Sequence, residues 1–290
     1  MPPSAGPDLY LLVHSHGIAL LDALTDWRAR LKSGGATDPR YGAAYQGWYA
    51  AGVFPRMPFE VAGVGAGRLR RIVAWVISAG ALLPPLVTRV AGAPGKTTLE
   101  ASREYDEVLR AWRGATPVVS MLFGNEHVRA TLNVWPPYDF LEPSQPAVAP
   151  GLPLVDEGFI DAQIDEWVSL VYFPLAMLKQ LAPNPLAHVL PPPPRERPEA
   201  ARHLEKLHDE IARYGFAPAW LRLKWYRRYC RKLAERLQSI GCAVIEPPAQ
   251  ACSGEGLLRE EFADGLSHGN QAYGALTAAR IEEWARSAPA

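Results

Sequence analysis

Five consecutive apolar residues, Leu9 to Val13, run into His14-Ser15-His16-Gly17 and then into Ile18 to Leu31, where Leu20, Leu21, Leu24 and Trp27 recur at helical spacing. An unbroken apolar run of this length reads as a strand buried on both faces, the signature of a parallel sheet covered by helices on either side. The chain therefore opens with strand, tight turn and helix. Ligands of open parallel sheets bind outside the carboxyl ends of the strands, so the polar residues of that turn stand where chemistry is expected.

The same alternation continues. Leu86 to Val90 reads as a second strand, followed by a turn through Gly92 to Thr97 and a helix to about Trp112, with Thr97 and Glu100 as a capping-box pair. Val118 to Phe123, Ala187 to Leu190 and Ala243 to Ile245 read as three further buried strands, and Tyr273 to Trp284 as a closing helix. The apolar run Ile72 to Leu83 stops at Pro84-Pro85 and is shorter than the roughly 20 residues needed to span a bilayer, so it reads as a buried helix. Lys32 to about Leu83 and Pro136 to Leu154 exceed the minimal unit and read as insertions. The prediction is a single domain over 1–290: an α/β, flavodoxin-like three-layer α/β/α sandwich on a central parallel sheet of about five strands.

Composition narrows the partner. Of 290 residues 48% are hydrophobic, enough to bury a large core. Lysine plus arginine total 30 and so do aspartate plus glutamate, so no long-range field attracts nucleic acid or an acidic membrane. Arg222 to Arg236 interleaves seven cations with Trp225, Tyr226 and Tyr229. With the charge balanced elsewhere, this reads as a crossover helix whose aromatic face packs on the sheet and whose basic face meets solvent. Three cysteines, Cys230, Cys242 and Cys252, make no disulfide framework, and Met1 to Asp8 lacks the basic and apolar regions of a secretory signal. A reducing, cytoplasmic setting is expected, without cofactor, metal or membrane insertion.

The strand ends gather a short set of reactive residues. Ser15, before a helix, is either an exposed nucleophile or an N-cap serine. Gly95 after the second strand and Asn125 after the third can supply a main-chain and a side-chain donor to an oxyanion, or serve as turn residues. His268 lies in the polar loop Asp264-Gly-Leu-Ser-His-Gly-Asn270, with Asp264 close enough in sequence to orient its imidazole.

In this order the blocks resemble the SGNH/GDSL hydrolase superfamily. Val13-His-Ser-His16 stands in the position of its Gly-Asp-Ser block, Gly92-Ala-Pro-Gly-Lys-Thr-Thr98 is similar to its glycine block, Gly124-Asn-Glu-His127 to its Gly-x-Asn-Asp block, and Asp264 to His268 to its Asp-x-x-His block. The continuations Pro-Pro-Tyr-Asp-Phe140 and His-x-Asn-x-x-Tyr-Gly274, with Pro191 to Pro194, are similar to one esterase or acyltransferase branch. Two positions depart: Val13 and His14 replace the usual glycine and aspartate, and Asp264 precedes the histidine by four residues where three are usual.

The resemblance implies a serine esterase in which His268 activates Ser15, Asp264 supports His268, and Ser15 N–H, Gly95 N–H and the Asn125 amide hold the oxyanion. It implies a small-molecule or carbohydrate ester as substrate, with His14, His16, Gly124 and His127 as substrate contacts. Two other classes compete: a silent glycan-binding relative, and a metal-dependent hydrolase using His14 and His16, two apart at a strand end.

Overall fold

The computed structural model describes residues 8–24, 59–62, 69–76, 86–91, 97–112, 116–123, 138–144, 149–182, 184–201, 204 and 208–288. Strand β1 (Leu9–Val13) is central. It pairs in parallel with β3 (Arg71–Val76) on one side and with β6 (Val118–Met121) on the other, and β7 (Leu186–Val189) and β8 (Ala243–Ile245) continue the sheet in parallel. A sixth strand, β2 (Phe59–Ala62), adds antiparallel to β3 at the outer edge. The five parallel strands run β3-β1-β6-β7-β8, the doubly wound order in which the chain reverses direction beside β1, between β1 and β6.

The strand period explains the layers. Leu9, Leu11 and Val13 face one side of the sheet, where they pack with Leu20, Leu21 and Leu24 of α1 (Ile18–Leu24) and with Ala278 and Ile281 of α6 (Gln271–Ser287). Tyr10 and Leu12 face the other side. There they meet Tyr105 and Val108 of α2 (Arg103–Ala111), Ile164 and Val171 of α3 (Glu157–Leu181), and Leu221 and Leu233 of α5 (Ala219–Ser239). A short α4 (His208–Tyr214) precedes α5. The result is the predicted three-layer sandwich on five parallel strands.

Two expectations are corrected. The second parallel strand is β3, from the run expected as a buried helix. A strand covered on both faces is continuously apolar and loses the period that separates it from a buried helix, and the β-branched Ile72 and Val73 are the residues that favour the strand. The stretch expected as an insertion over 32–83 thus supplies two strands of the sheet. Conversely, β4 (Val87–Ala91) lies outside the sheet and forms an antiparallel hairpin with β5 (Thr97–Ala101). The threonine pair and Leu99 extend where a helix start was expected. The helix instead begins after Ser102, whose Oγ accepts from the Tyr105 N–H at 3.2 Å.

The segment from Tyr138 to Val155 is fastened from below. Asp139 and Lys224, both fully buried, meet at 2.7 Å, and Lys224 also donates to the Phe140 carbonyl at 3.0 Å. The N–H groups of Phe140 and Ala149 donate to the Asp139 carboxylate at 2.7 and 2.8 Å. Basic residues of α5 behave alike: Arg228 donates to Asp161 and Glu157 at 2.8 and 3.0 Å, and Lys232 stands 3.0 Å from both Asp161 and Asp165 on α3. The expected solvated basic face is therefore corrected in part, Arg231 and Arg236 being exposed. Arg222, Lys224 and Arg228 are buried and turned inward to partners. No helix among the described residues is long and apolar enough to cross a membrane.

Candidate active site

Strand β1 ends at Val13, His14 stays extended, and Ser15–Gly17 forms one tight turn before α1. Gly17 is required there, because a Cβ would fall 2.2 Å from the Cβ of Val13. Ser15 is not the N-cap: His14 holds that place, and the Ser15 hydroxyl faces two imidazoles instead. Its Oγ lies 3.1 Å from His14 Nδ1 and 3.3 Å from His268 Nε2.

His268 arrives from the far end of the chain on a minimal hairpin, β9 (Ala263–Asp264) paired antiparallel with β10 (His268–Gly269). The turn starts at Gly265, whose φ of +61° suits glycine. Five residues past it, Asn270 caps α6, accepting from the N–H groups of Ala272 and Tyr273 at 3.0 and 3.2 Å, while its amide donates to the Glu261 carbonyl at 2.7 Å. The sequence pattern His-x-Asn-x-x-Tyr-Gly thus resolves into separate parts. Asn270 caps the helix, Tyr273 is buried against Gly269, and Gly274 lets α6 approach α1 so closely that a Cβ would sit 2.0 Å from the Ala19 carbonyl oxygen. That approach brings the two catalytic candidates together.

The surroundings hold both histidines neutral. Burial pushes the His14 imidazole down to about 4, with the Phe123 backbone opposing and the charge of His268 adding to the effect. Burial also lowers His268, partly offset by the negative charge of Asp264. A neutral imidazole beside a serine hydroxyl is the state needed to take its proton.

Asp264 lies directly across the hairpin from His268 in the strand register, yet it is exposed and makes no hydrogen bond to the ring. The Nδ1 of His268 instead meets the Oγ of Ser267 at 3.0 Å. Sequence reasoning passed over Ser267, although its place beside the histidine is the signal that marks it. Arg195 was missed too. From the segment after β7 it grips Glu260 through Nε and Nη2 at 2.9 and 2.6 Å.

Of the expected substrate contacts, His14 and His16 are both buried, His14 beside the Ser15 hydroxyl. His16 stacks on His268, ring centroids 3.9 Å apart and planes within 10°, with Phe123 at 4.6 Å. Ligands of one ion point in-plane lone pairs at a common centre whereas stacked rings point theirs side by side, so the stack does not favour His16 and His268 as ligands of one ion. Among the described residues no group of three or more histidine, cysteine, aspartate or glutamate side chains is placed to hold a metal ion. Gly95, Gly124, Asn125 and His127 lie outside the described residues. The segment carrying Gly95 now connects the two strands of the β4–β5 hairpin, not a parallel strand and its helix.

No family model matches the chain, and comparison with curated proteins returns no match. The class of site is accordingly defined by its own geometry: a serine at the end of the first strand, beside the reversal point of a doubly wound sheet, facing a neutral histidine.

Proposed function

We propose that this protein is a serine hydrolase of the SGNH type that cleaves an O-acyl ester, on a carbohydrate or other small molecule, through an acyl-enzyme on Ser15. One observation carries the reading: Ser15 Oγ and His268 Nε2 stand 3.3 Å apart although 253 positions separate them in sequence. That is the reach a nucleophile and its general base require, and unliganded sites are commonly this loose.

In the proposed reaction His268 Nε2 takes the Ser15 proton as Oγ attacks the ester carbonyl carbon. The tetrahedral adduct collapses, the carbon–oxygen bond to the alcohol breaks, and the leaving alkoxide takes the proton from His268. Water, deprotonated by the same imidazole, then attacks the acyl-enzyme; the acyl–Oγ bond breaks, Ser15 Oγ takes the proton back from His268, and the acid leaves. The Ser15 N–H, the Asn125 amide and a glycine N–H are the proposed oxyanion donors, such donors being worth about 10²–10³ in rate each. The three cysteines are free thiols, which favours a reducing, cytoplasmic setting.

The test is labelling of the purified protein by a fluorophosphonate probe together with hydrolysis of a short-chain nitrophenyl ester. Both are expected in the wild type, unaffected by chelator, and both are lost in Ser15→Ala and His268→Ala. Turnover without labelling, abolished by chelator, would transfer the reading to metal-assisted hydrolysis.

A further inference from the structure

An imidazole acting as a general base must be fixed in two senses. Its plane has to be held, and its rotation within that plane must aim Nε2 at the nucleophile. For His268 the first restraint is on the page: the His16 ring lies parallel to it at 3.9 Å. His16 is itself buried against Phe123 and cannot swing away.

The second restraint comes from Nδ1. If Nε2 presents its lone pair to the Ser15 hydroxyl, the single ring proton of a neutral imidazole resides on Nδ1 and needs an acceptor. Among the described residues the oxygen within reach is Ser267 Oγ at 3.0 Å, on a side chain that is almost fully buried. Asp264 shares the hairpin face with His268 but turns its carboxylate to solvent. The turn between them is held rigid from outside, because Arg195 Nη1 donates to the Gly265 carbonyl at 2.9 Å.

We infer that Ser267, with the His16 ring holding the plane, is the positioning residue for His268, and that Asp264 does not occupy the third place of the triad. This rests on the reading of His268 as the general base. The unit is then hydroxyl, imidazole, hydroxyl. A hydroxyl orients the ring and fixes its tautomer, as a carboxylate does, but brings no charge to stabilise the imidazolium. Asp264 acts only through space.

The experiment uses the full chain with Ser267→Ala, Ser267→Thr, Asp264→Asn and His16→Phe, and Ser15→Ala as the blank. Each is followed by nitrophenyl ester kinetics against pH and by nitrogen-15 NMR of the His268 ring. Ser267→Ala is expected to lower kcat about tenfold with little change in KM, the scale of one neutral hydrogen bond. Ser267→Thr restores most of that loss, and His16→Phe keeps the stack and more than half the rate. Asp264→Asn costs less than threefold and moves the acid limb of kcat/KM to lower pH. The Nδ1 resonance shifts in Ser267→Ala and stays put in Asp264→Asn. A large loss in Asp264→Asn, with its Nδ1 resonance displaced and Ser267→Ala near wild type, overturns the inference and restores the carboxylate to the triad. Absence of labelling and turnover in the wild type is a separate failure, that of the hydrolase reading, since the nitrogen resonance reports the partner of Nδ1 whether or not the protein turns over.

Discussion

Nη1 of Arg195 donates to the carbonyl of Gly265 at 2.9 Å, joining the chain after β7 to the turn that presents His268. The same guanidinium holds Glu260, and its own carbonyl accepts from Arg222, so the brace is anchored at both ends. Arg195→Ala is expected to destabilise the fold by about 3 kcal/mol, because it takes the guanidinium fork from the largely buried Glu260 carboxylate and leaves it the Arg197 N–H, and to slow the proposed ester hydrolysis as the turn loosens. Arg195→Lys restores the charge without the fork and recovers only part of either. Urea unfolding and nitrophenyl ester kinetics measure both. Full activity in Arg195→Ala would show that the hairpin is held by other means.

Gly274 sets the spacing of α1 and α6. A methyl group there meets main-chain atoms of Ala19 and Leu20, which cannot rotate out of the way. Gly274→Ala should therefore cost about 2 kcal/mol despite its better helix propensity, since overpacking of this kind outweighs the gain. It should also separate Ser15 from His268, so labelling by a fluorophosphonate falls along with the unfolding midpoint. A more stable Gly274→Ala protein would contradict the packing described.

The Asp139–Lys224 pair tests a different term. Removing one partner by Asp139→Ala leaves the buried Lys224 ammonium without its counter-charge, although the Phe140 carbonyl still accepts from it, and takes the acceptor from two N–H groups, an expected loss of about 3–5 kcal/mol. Lys224→Met in the same chain should return part of that loss, the sign of coupling between adjacent sites. Chemical denaturation of the two single variants and the double variant closes the cycle. Additive losses would mean that the two side chains do not interact.

Two pH effects follow from buried imidazoles. Burial pushes His14 to about 4 and His188 to about 3 from an ordinary 6.5, so below pH 6.5 the unfolded chain binds protons that the native protein refuses. Stability is complete above about pH 6.5 and declines as pH falls toward 4 and then 3. His188→Leu should flatten that slope whatever it does at pH 8, and a melting temperature constant from pH 7 to 4 would refute the account.

The proposed hydrolysis would carry its own pH dependence. A base works when neutral, and burial keeps His268 neutral to lower pH than a free imidazole. The acid limb of kcat/KM is expected below 6.5, and a limb above that value would mean that the charge of Asp264 outweighs burial at this ring.

Much of this was legible in the residues. The first strand, its turn and helix, and the last three parallel strands announce themselves because each is a short apolar run bounded by polar turns. Ile72 to Val76 misleads because burial on both faces erases periodicity, and Thr97 to Glu100 because a capping pattern coexists with a threonine pair that prefers extended backbone. At the site, order along the chain nominates Ser15 and His268, but Ser267, Arg195 and His16 gain their roles from spacing in three dimensions. Asp264 shows the converse: cross-strand register places it opposite His268, and side-chain rotation then decides that it does not bond.

The 253-residue gap between Ser15 and His268 also governs when the site can exist. Protein synthesis delivers Ser15 long before His268, so a growing chain that has not yet released β10 carries the serine of the proposed pair without its histidine. On the proposed reading, a chain cut before β9 keeps Ser15 but lacks His268, and is expected to lose fluorophosphonate labelling even where the parallel sheet still forms.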